Sequence, residues 1–220
     1  MEPRVISLWL FPKSSDASFK AINTKEREWA EGLTERKAKE YLHARTQARA
    51  VLSTLFNKPP LNIPLHAPPG LPPVLEEGYG FISISHCKDA LAIGWSDNRL
   101  GIDIECSDRS FAYEKIAARF FNKTEQSFFA SLEGEELRLA VLNAWIQKEA
   151  AIKWQRGSIS NDFSAWEFTK GSQQGVHKSL GYQVESKQIT IENWILAIAS
   201  ENKSIINLIT NNQNFMMNNF

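Results

Sequence analysis

The sequence predicts an α+β chain made of two similar α/β lobes of about 100 residues each, and three observations carry that reading. Segments of helical period alternate with short runs rich in β-branched and aromatic residues. Seven of the nine prolines crowd between Asn57 and Gly80, separating the first long helix from the densest strand signals. Leu91-Ala92-Ile93-Gly94 returns 105 residues later as Leu196-Ala197-Ile198-Ala199, and the helix around Arg45 precedes the one around Glu149 by 104. Short apolar strands resemble one another easily, so coincidence stands as the alternative to related halves; the repeat places a boundary near residue 106, giving halves 1–106 and 107–220.

Val5 to Leu10 is apolar and β-branched ahead of Pro12, which suits a short buried strand. Thr34 can cap a helix reaching about Phe56, because Tyr41, Ala44, Ala48, Leu52 and Leu55 recur at three- and four-residue steps. The proline-rich stretch to Gly80 admits neither a helix nor a central strand and reads as a long binding loop. Phe81–Ser85, Ala90–Trp95 and Arg99–Glu105 read as three strands. Ser110 and Thr124 can cap short helices, and a third helix from about Glu135 ends near Gly157, a residue suited to a left-handed cap. Strand-like segments follow at Trp166–Thr169, Tyr182–Glu185, Gln188–Ile191, Trp194–Ala199 and Ser204–Ile209, and the Asn-rich residues 211 to 220 read as a frayed tail.

Composition excludes several classes. With 43% hydrophobic residues the chain can bury a core, and 25 basic against 25 acidic residues leave no global field to draw it to nucleic acid or anionic membrane. The apolar runs fall short of the ~18 residues of a membrane span, and the polar start lacks a secretion pattern. Two cysteines, Cys87 and Cys106, are too few for a disulfide framework and read as reduced thiols. A cytoplasmic protein is expected.

Three constellations can carry chemistry. In Leu100-Gly101-Ile102-Asp103-Ile104-Glu105 a strand's two-residue period puts Gly101, Asp103 and Glu105 on one face. Cα atoms two residues apart lie roughly 6.6 Å from each other, so both carboxylates can reach one hard cation such as Mg²⁺. Gly101 leaves room there for a ligand or another backbone. On the third helix Trp145, Glu149, Lys153 and Arg156 form one stripe, able to add a carboxylate to a metal and cations to phosphate oxygens. Ser85 and His86 end a strand as possible phosphate donors, and Arg45 and Arg49 stand one helical turn apart as an anion clamp. Each constellation also has an ordinary explanation: an acidic solvated strand face, a surface i,i+4 pair, a solvated helix.

Leu100 to Glu105, followed forty residues later by Trp145-Ile146-Gln147-Lys148-Glu149-Ala150-Ala151-Ile152-Lys153, resembles the two signatures of the 4′-phosphopantetheinyl transferase superfamily. With Phe81–Cys87 upstream and Arg119–Glu125 between, the order is similar to that of the monomeric, two-lobed class serving nonribosomal peptide and polyketide synthetases. The resemblance implies pseudo-twofold related lobes with the active site at their interface. It also implies transfer of 4′-phosphopantetheine from coenzyme A to a serine of an apo acyl or peptidyl carrier protein, with release of adenosine 3′,5′-bisphosphate. Asp103, Glu105 and Glu149 match the family's magnesium positions. Glu149, or a water near it, is implied as proton acceptor and Lys153 as the group aiding the departing phosphate. His86, with Ser85 beside it, matches a phosphate contact, and Arg45 or, as the weaker choice, Arg49 matches a phosphate-binding arginine of the first long helix. Phe111, Tyr113, Ile116 and Phe120, interleaved with Arg109, Lys115 and Arg119, fall where carrier proteins dock in the family, although they suit a core equally well.

The chain departs from the family pattern at Gly70-Leu71-Pro72, where a lysine is usual after the glycine, and at Cys87, where a serine is usual. Two alternatives remain open: a magnesium-dependent nuclease and a non-catalytic module binding coenzyme A or carrier protein. Against the first, Glu149 and Lys153 are four apart in a helical context, whereas such nucleases commonly place Glu and Lys two apart on a strand.

Overall fold

The computed structural model describes residues 4–12, 21–168, 172–210 and 213–217. Strand β1 (Arg4–Pro12) is followed by helices α1 (Thr24–Glu31) and α2 (Glu35–Phe56), a small hairpin of β2 (Leu65–His66) and β3 (Val74–Leu75), and strands β4 (Phe81–His86), β5 (Ala90–Ser96) and β6 (Leu100–Cys106). Helices α3 (Tyr113–Phe120), α4 (Lys123–Phe129), α5 (Gly134–Gln155) and α6 (Ile159–Asp162) come next. Strands β7 (Trp166–Phe168), β8 (Gln174–His177), β9 (Gln183–Ile191), β10 (Trp194–Ser200), β11 (Ser204–Thr210) and β12 (Gln213–Met217) complete a mixed α+β architecture.

Two five-stranded sheets form, in the orders β12-β11-β1-β5-β4 and β6-β10-β9-β8-β7. The boundary expected near residue 106 does not separate them. β6, inside the expected first half, pairs antiparallel with β10, whereas β11, inside the second, crosses back to lie parallel to β1. The strands correspond at a shift of 104, Ala90–Ser96 with Trp194–Ser200 and Leu100–Cys106 with Ser204–Thr210, so the apolar repeat read at 105 is out of register with them by one residue.

Period-two alternation explains the layering. On β1, Ile6, Leu8 and Leu10 join Leu100, Ile102, Ile104 and Ile198 in a core shared by both sheets. Trp9, from the opposite face, packs with Ala44, Ala48 and Leu52 of α2. Val141, Leu142 and Ile146 of α5 cover Ile195, Ala197 and Ala199 of β10 in the same way. Both long helices comprise 22 residues and end on a left-handed residue, Asn57 and Arg156. The cap of α5 is therefore Arg156 rather than the expected Gly157.

Other boundaries shift for identifiable reasons. Helix α1 was not anticipated, yet Asn23 and Glu26 form a reciprocal capping box at its start. Asn122, not Thr124, caps α4 in the same manner, and α3 begins after Ala112 without a capping bond from Ser110. The two strands expected between Tyr182 and Ile191 are one, and β8 is additional. Residues 213–217 pair with β11 instead of fraying, while Thr169 and residues 211–212 and 218–220 lie outside the described residues. No helix among the described residues is long and apolar enough to cross a membrane.

The proline-rich segment is held by α2. Arg49, 1% exposed, donates from Nε to both Glu26 oxygens, at 3.1 and 3.0 Å. Its Nη1 donates to the carbonyls of Pro60 and Ile63 and its Nη2 to that of Leu65. Prolines remove backbone donors, so this guanidinium supplies the hydrogen bonds that the buried carbonyls need. Arg49→Ala is expected to lower the unfolding free energy by about 3–5 kcal/mol, because Glu26 would be left buried without its cation. Urea denaturation measures this, and a loss below about 1 kcal/mol would contradict a structural ion pair.

Candidate active site

The site lies where the edges of the two sheets meet. β4 and β6 face each other there without a backbone ladder; instead, the Ile102 and Ile104 amides donate to the hydroxyls of Ser83 (3.1 Å) and Ser85 (3.4 Å). Serines at alternate positions of Phe81–His86 thus take the place of carbonyl acceptors and bring the strands together. His86, the next residue, is exposed at the strand end.

Helix α5 comes in over the other face of β6. A Cβ at Gly101 would stand 2.0 Å from the Ala150 carbonyl oxygen and 2.3 Å from the Trp154 nitrogen. The bare face read from the sequence therefore admits a backbone, that of α5. This close approach brings Glu149 and Lys153 against the carboxylates of β6.

Asp103 is 4% exposed. Its Oδ1 accepts from Lys153 Nζ at 2.6 Å and from the Ser85 hydroxyl at 2.7 Å, and Lys153 also donates to Ser85 at 2.8 Å. Its Oδ2 is buried with no hydrogen-bond partner among the described residues. A buried carboxylate oxygen left bare is costly, which suits it to a cation. Glu105 is paired with Arg109, and burial raises its pKa, opposed by Arg109. Burial, joined by the charge of Asp103, pushes Glu149 up to about 7, opposed by Lys153 and by a hydrogen bond from Trp145. Asp103 acts on both Glu105 and Glu149, and Glu105 acts on Glu149, so the carboxylates lie close enough to feel one another.

A raised carboxyl pKa means that the folded chain holds a proton the unfolded chain has released. Stability should therefore fall as pH rises from about 4.5 through about 7. Urea midpoints compared with those of Glu149→Gln isolate this group: the variant should lack that part of the decline. Parallel pH profiles would contradict a buried, repelled Glu149.

Other expected residues are placed differently. Ser85 is buried and committed to Asp103, Lys153 and the Ile104 amide, so it positions the carboxylate instead of presenting its hydroxyl to a phosphate. Arg49 is enclosed as described above and is not available as an anion clamp. Arg45 donates from Nε to the Ala67 carbonyl at 3.0 Å and lies over the Tyr41 ring, so it too braces the proline-rich segment. Phe111, Tyr113, Ile116 and Phe120 pack on the core beneath α5, while Lys115 and Arg119 remain exposed. Trp145 and Ser83 have no site role in the sequence reading, and Arg109 enters it only in the carrier-docking neighbourhood, not as the partner of Glu105. Ser83 carried a signal in its alternation with Ser85; the bond from Trp145 follows from its place one turn before Glu149 on the same stripe.

A cleft of about 240 Å³ adjoins Lys153 and Arg156, walled by Gly70, Leu71 and Pro72 and by β4. Leu71, standing where a lysine was expected, is 62% exposed at this cleft. A larger cavity of about 630 Å³ lies along α4 and α5, lined by Phe128, Gln147 and Ser186, and none of the site carboxylates borders it. Nearby, fully buried Lys148 pairs with Glu125 at 2.6 Å and lies over Phe121 and Phe163, a structural use of the lysine that precedes Glu149.

The sequence model of the 4′-phosphopantetheinyl transferase superfamily matches residues 99–199. The chain carries a domain of that family. The match spans Asp103, Glu105, Glu149 and Lys153, the residues gathered by β6 and α5. Phosphopantetheinyl transferases modify carrier proteins and use coenzyme A as substrate. No curated protein matches the chain.

Proposed function

We propose that this protein transfers 4′-phosphopantetheine from coenzyme A to a serine of an apo acyl or peptidyl carrier protein, giving the holo form and adenosine 3′,5′-bisphosphate. The observation that carries the reading is the convergence of Asp103, Glu105, Glu149 and Lys153 within the transferase domain. Asp103, with one bare buried oxygen, Glu105 and Glu149 would hold a magnesium ion, which supplies charge stabilisation to the pyrophosphate.

In the reaction the carrier serine oxygen forms a bond to the β-phosphorus of coenzyme A, and the bond from that phosphorus to the bridging oxygen breaks. Glu149, directly or through a water, accepts the serine proton. Lys153, aimed into the site by Asp103 and Ser85, offsets the negative charge that grows on the departing phosphate. His86 is a proposed phosphate contact, and the cleft beside Lys153 and Arg156 is the proposed path for coenzyme A. The reading takes the protein as a cytoplasmic monomer serving nonribosomal peptide or polyketide synthetases, with Lys115 and Arg119 steering an acidic carrier surface.

Incubation with apo-carrier protein, coenzyme A and Mg²⁺ should yield a carrier heavier by one phosphopantetheine group in its intact mass, and chelation of the metal should stop the reaction. Unmodified carrier proteins, together with metal-dependent cleavage of nucleic acid, would favour the nuclease reading instead. Binding of coenzyme A without transfer would favour the non-catalytic one.

A further inference from the structure

On the side of β6 away from the carboxylates, three ligand-type side chains converge. Cys106 ends β6, Cys87 follows β4, and Asp89 lies in the turn to β5 that the Cys87 amide closes by donating to the Ala90 carbonyl. The two sulfurs are 3.6 Å apart, and Asp89 Oδ1 stands 3.5 Å from the Cys87 sulfur and 3.1 Å from that of Cys106. Both cysteines are reduced, at 7% and 6% exposure, while Asp89 reaches the surface.

We propose that Cys87, Asp89 and Cys106 form a binding site for a soft divalent cation of the zinc class. Tetrahedral zinc, with bonds of about 2.3 Å to sulfur and about 2.0 Å to oxygen, sets sulfur–sulfur edges of about 3.8 Å and sulfur–oxygen edges of about 3.5 Å. The triangle present here matches one face of that tetrahedron to within a few tenths of an ångström. A water would complete the tetrahedron. Trp194 Nε1 donates to Asp89 Oδ1 at 2.7 Å and the Asn193 side chain bonds it too, fixing the carboxylate as outer partners of metal ligands do. Binding exchanges two S–H bonds for two sulfur–metal bonds and releases two protons to solvent. Thiolate ligands select this ion over magnesium, so the two sites do not compete. The ion would tie the end of β4 to the end of β6 and so brace the seam that positions Asp103.

The test uses the full chain, stripped of metal and kept in a phosphine reductant, with one equivalent of Co²⁺ as probe. Expected are a sulfur-to-cobalt charge-transfer band and visible bands of tetrahedral intensity that survive excess Mg²⁺ and vanish on adding Zn²⁺. Cys87→Ser should abolish the charge-transfer band or weaken it severely. Asp89→Asn, which keeps both thiols and the bond from Trp194, should weaken Co²⁺ binding at least about tenfold. Absence of the band in the wild-type chain would overturn the site, as would its persistence at full strength in both variants. Closure of the two cysteines to a disulfide, seen as the loss of two hydrogens in mass with no ion bound, would overturn it as well.

Discussion

Asp103→Asn is expected to reduce carrier-protein modification by at least about 10²–10³-fold, the scale of losing one preorganised electrostatic group from an active site. The substitution keeps the side chain's shape while removing the charge that Lys153 and Ser85 are arranged around. It also places an amide where a bare buried oxygen now sits. The loss should appear in kcat at saturating coenzyme A, because the charge acts on the transferring phosphoryl group, and it should not be recovered at high Mg²⁺. Modification of the carrier at the wild-type rate would remove Asp103 from the proposed metal set.

Gly101→Ala should be the most damaging single methyl addition along β6. The new carbon would fall on backbone atoms of α5, the Ala150 oxygen and the Trp154 nitrogen, which have no rotamer by which to move aside. Overpacking of this kind costs about 1–3 kcal/mol or more, and thermal unfolding should register it as a clear drop in Tm. Relief requires α5 to slide away from β6, which separates Glu149 and Lys153 from Asp103. Transfer activity should therefore fall further than the remaining folded fraction accounts for. Equal losses of activity and folded protein would mean that helix and strand do not need this contact for catalysis.

Much of the fold could be read from local patterns. α2 and α5 follow from apolar spacing and β5 and β10 from continuous apolar runs, because burial dictates those patterns directly. The pairing of the acidic strand with the Glu149 stripe was legible through the resemblance of the two motifs to the signatures of the transferase family. What escaped notice depends on partners distant in sequence. Nothing local in Arg49 distinguishes a phosphate clamp from a buried partner of Glu26, 23 residues away. Ser85 looks like a donor for a ligand until β6 arrives beside it to claim the hydroxyl. β6 and β11 change sheets because of strand pairing, and a strand's own sequence reports which faces are apolar but not which neighbour covers its edge.

The return of β11 to β1 joins residues 4–10 to residues 204–210. β1 cannot gain both neighbours until nearly the whole described chain is in place, and β6 waits for β10 in the same way. Each half thus lends the other a strand, so neither is a self-sufficient folding unit. Loop-closure entropy over such separations makes assembly slow and leaves sheet edges open meanwhile. A chain interrupted before Ser204 would expose one edge of β1 as a template for association with other strands, so premature termination should lead to aggregation rather than to a working half-enzyme.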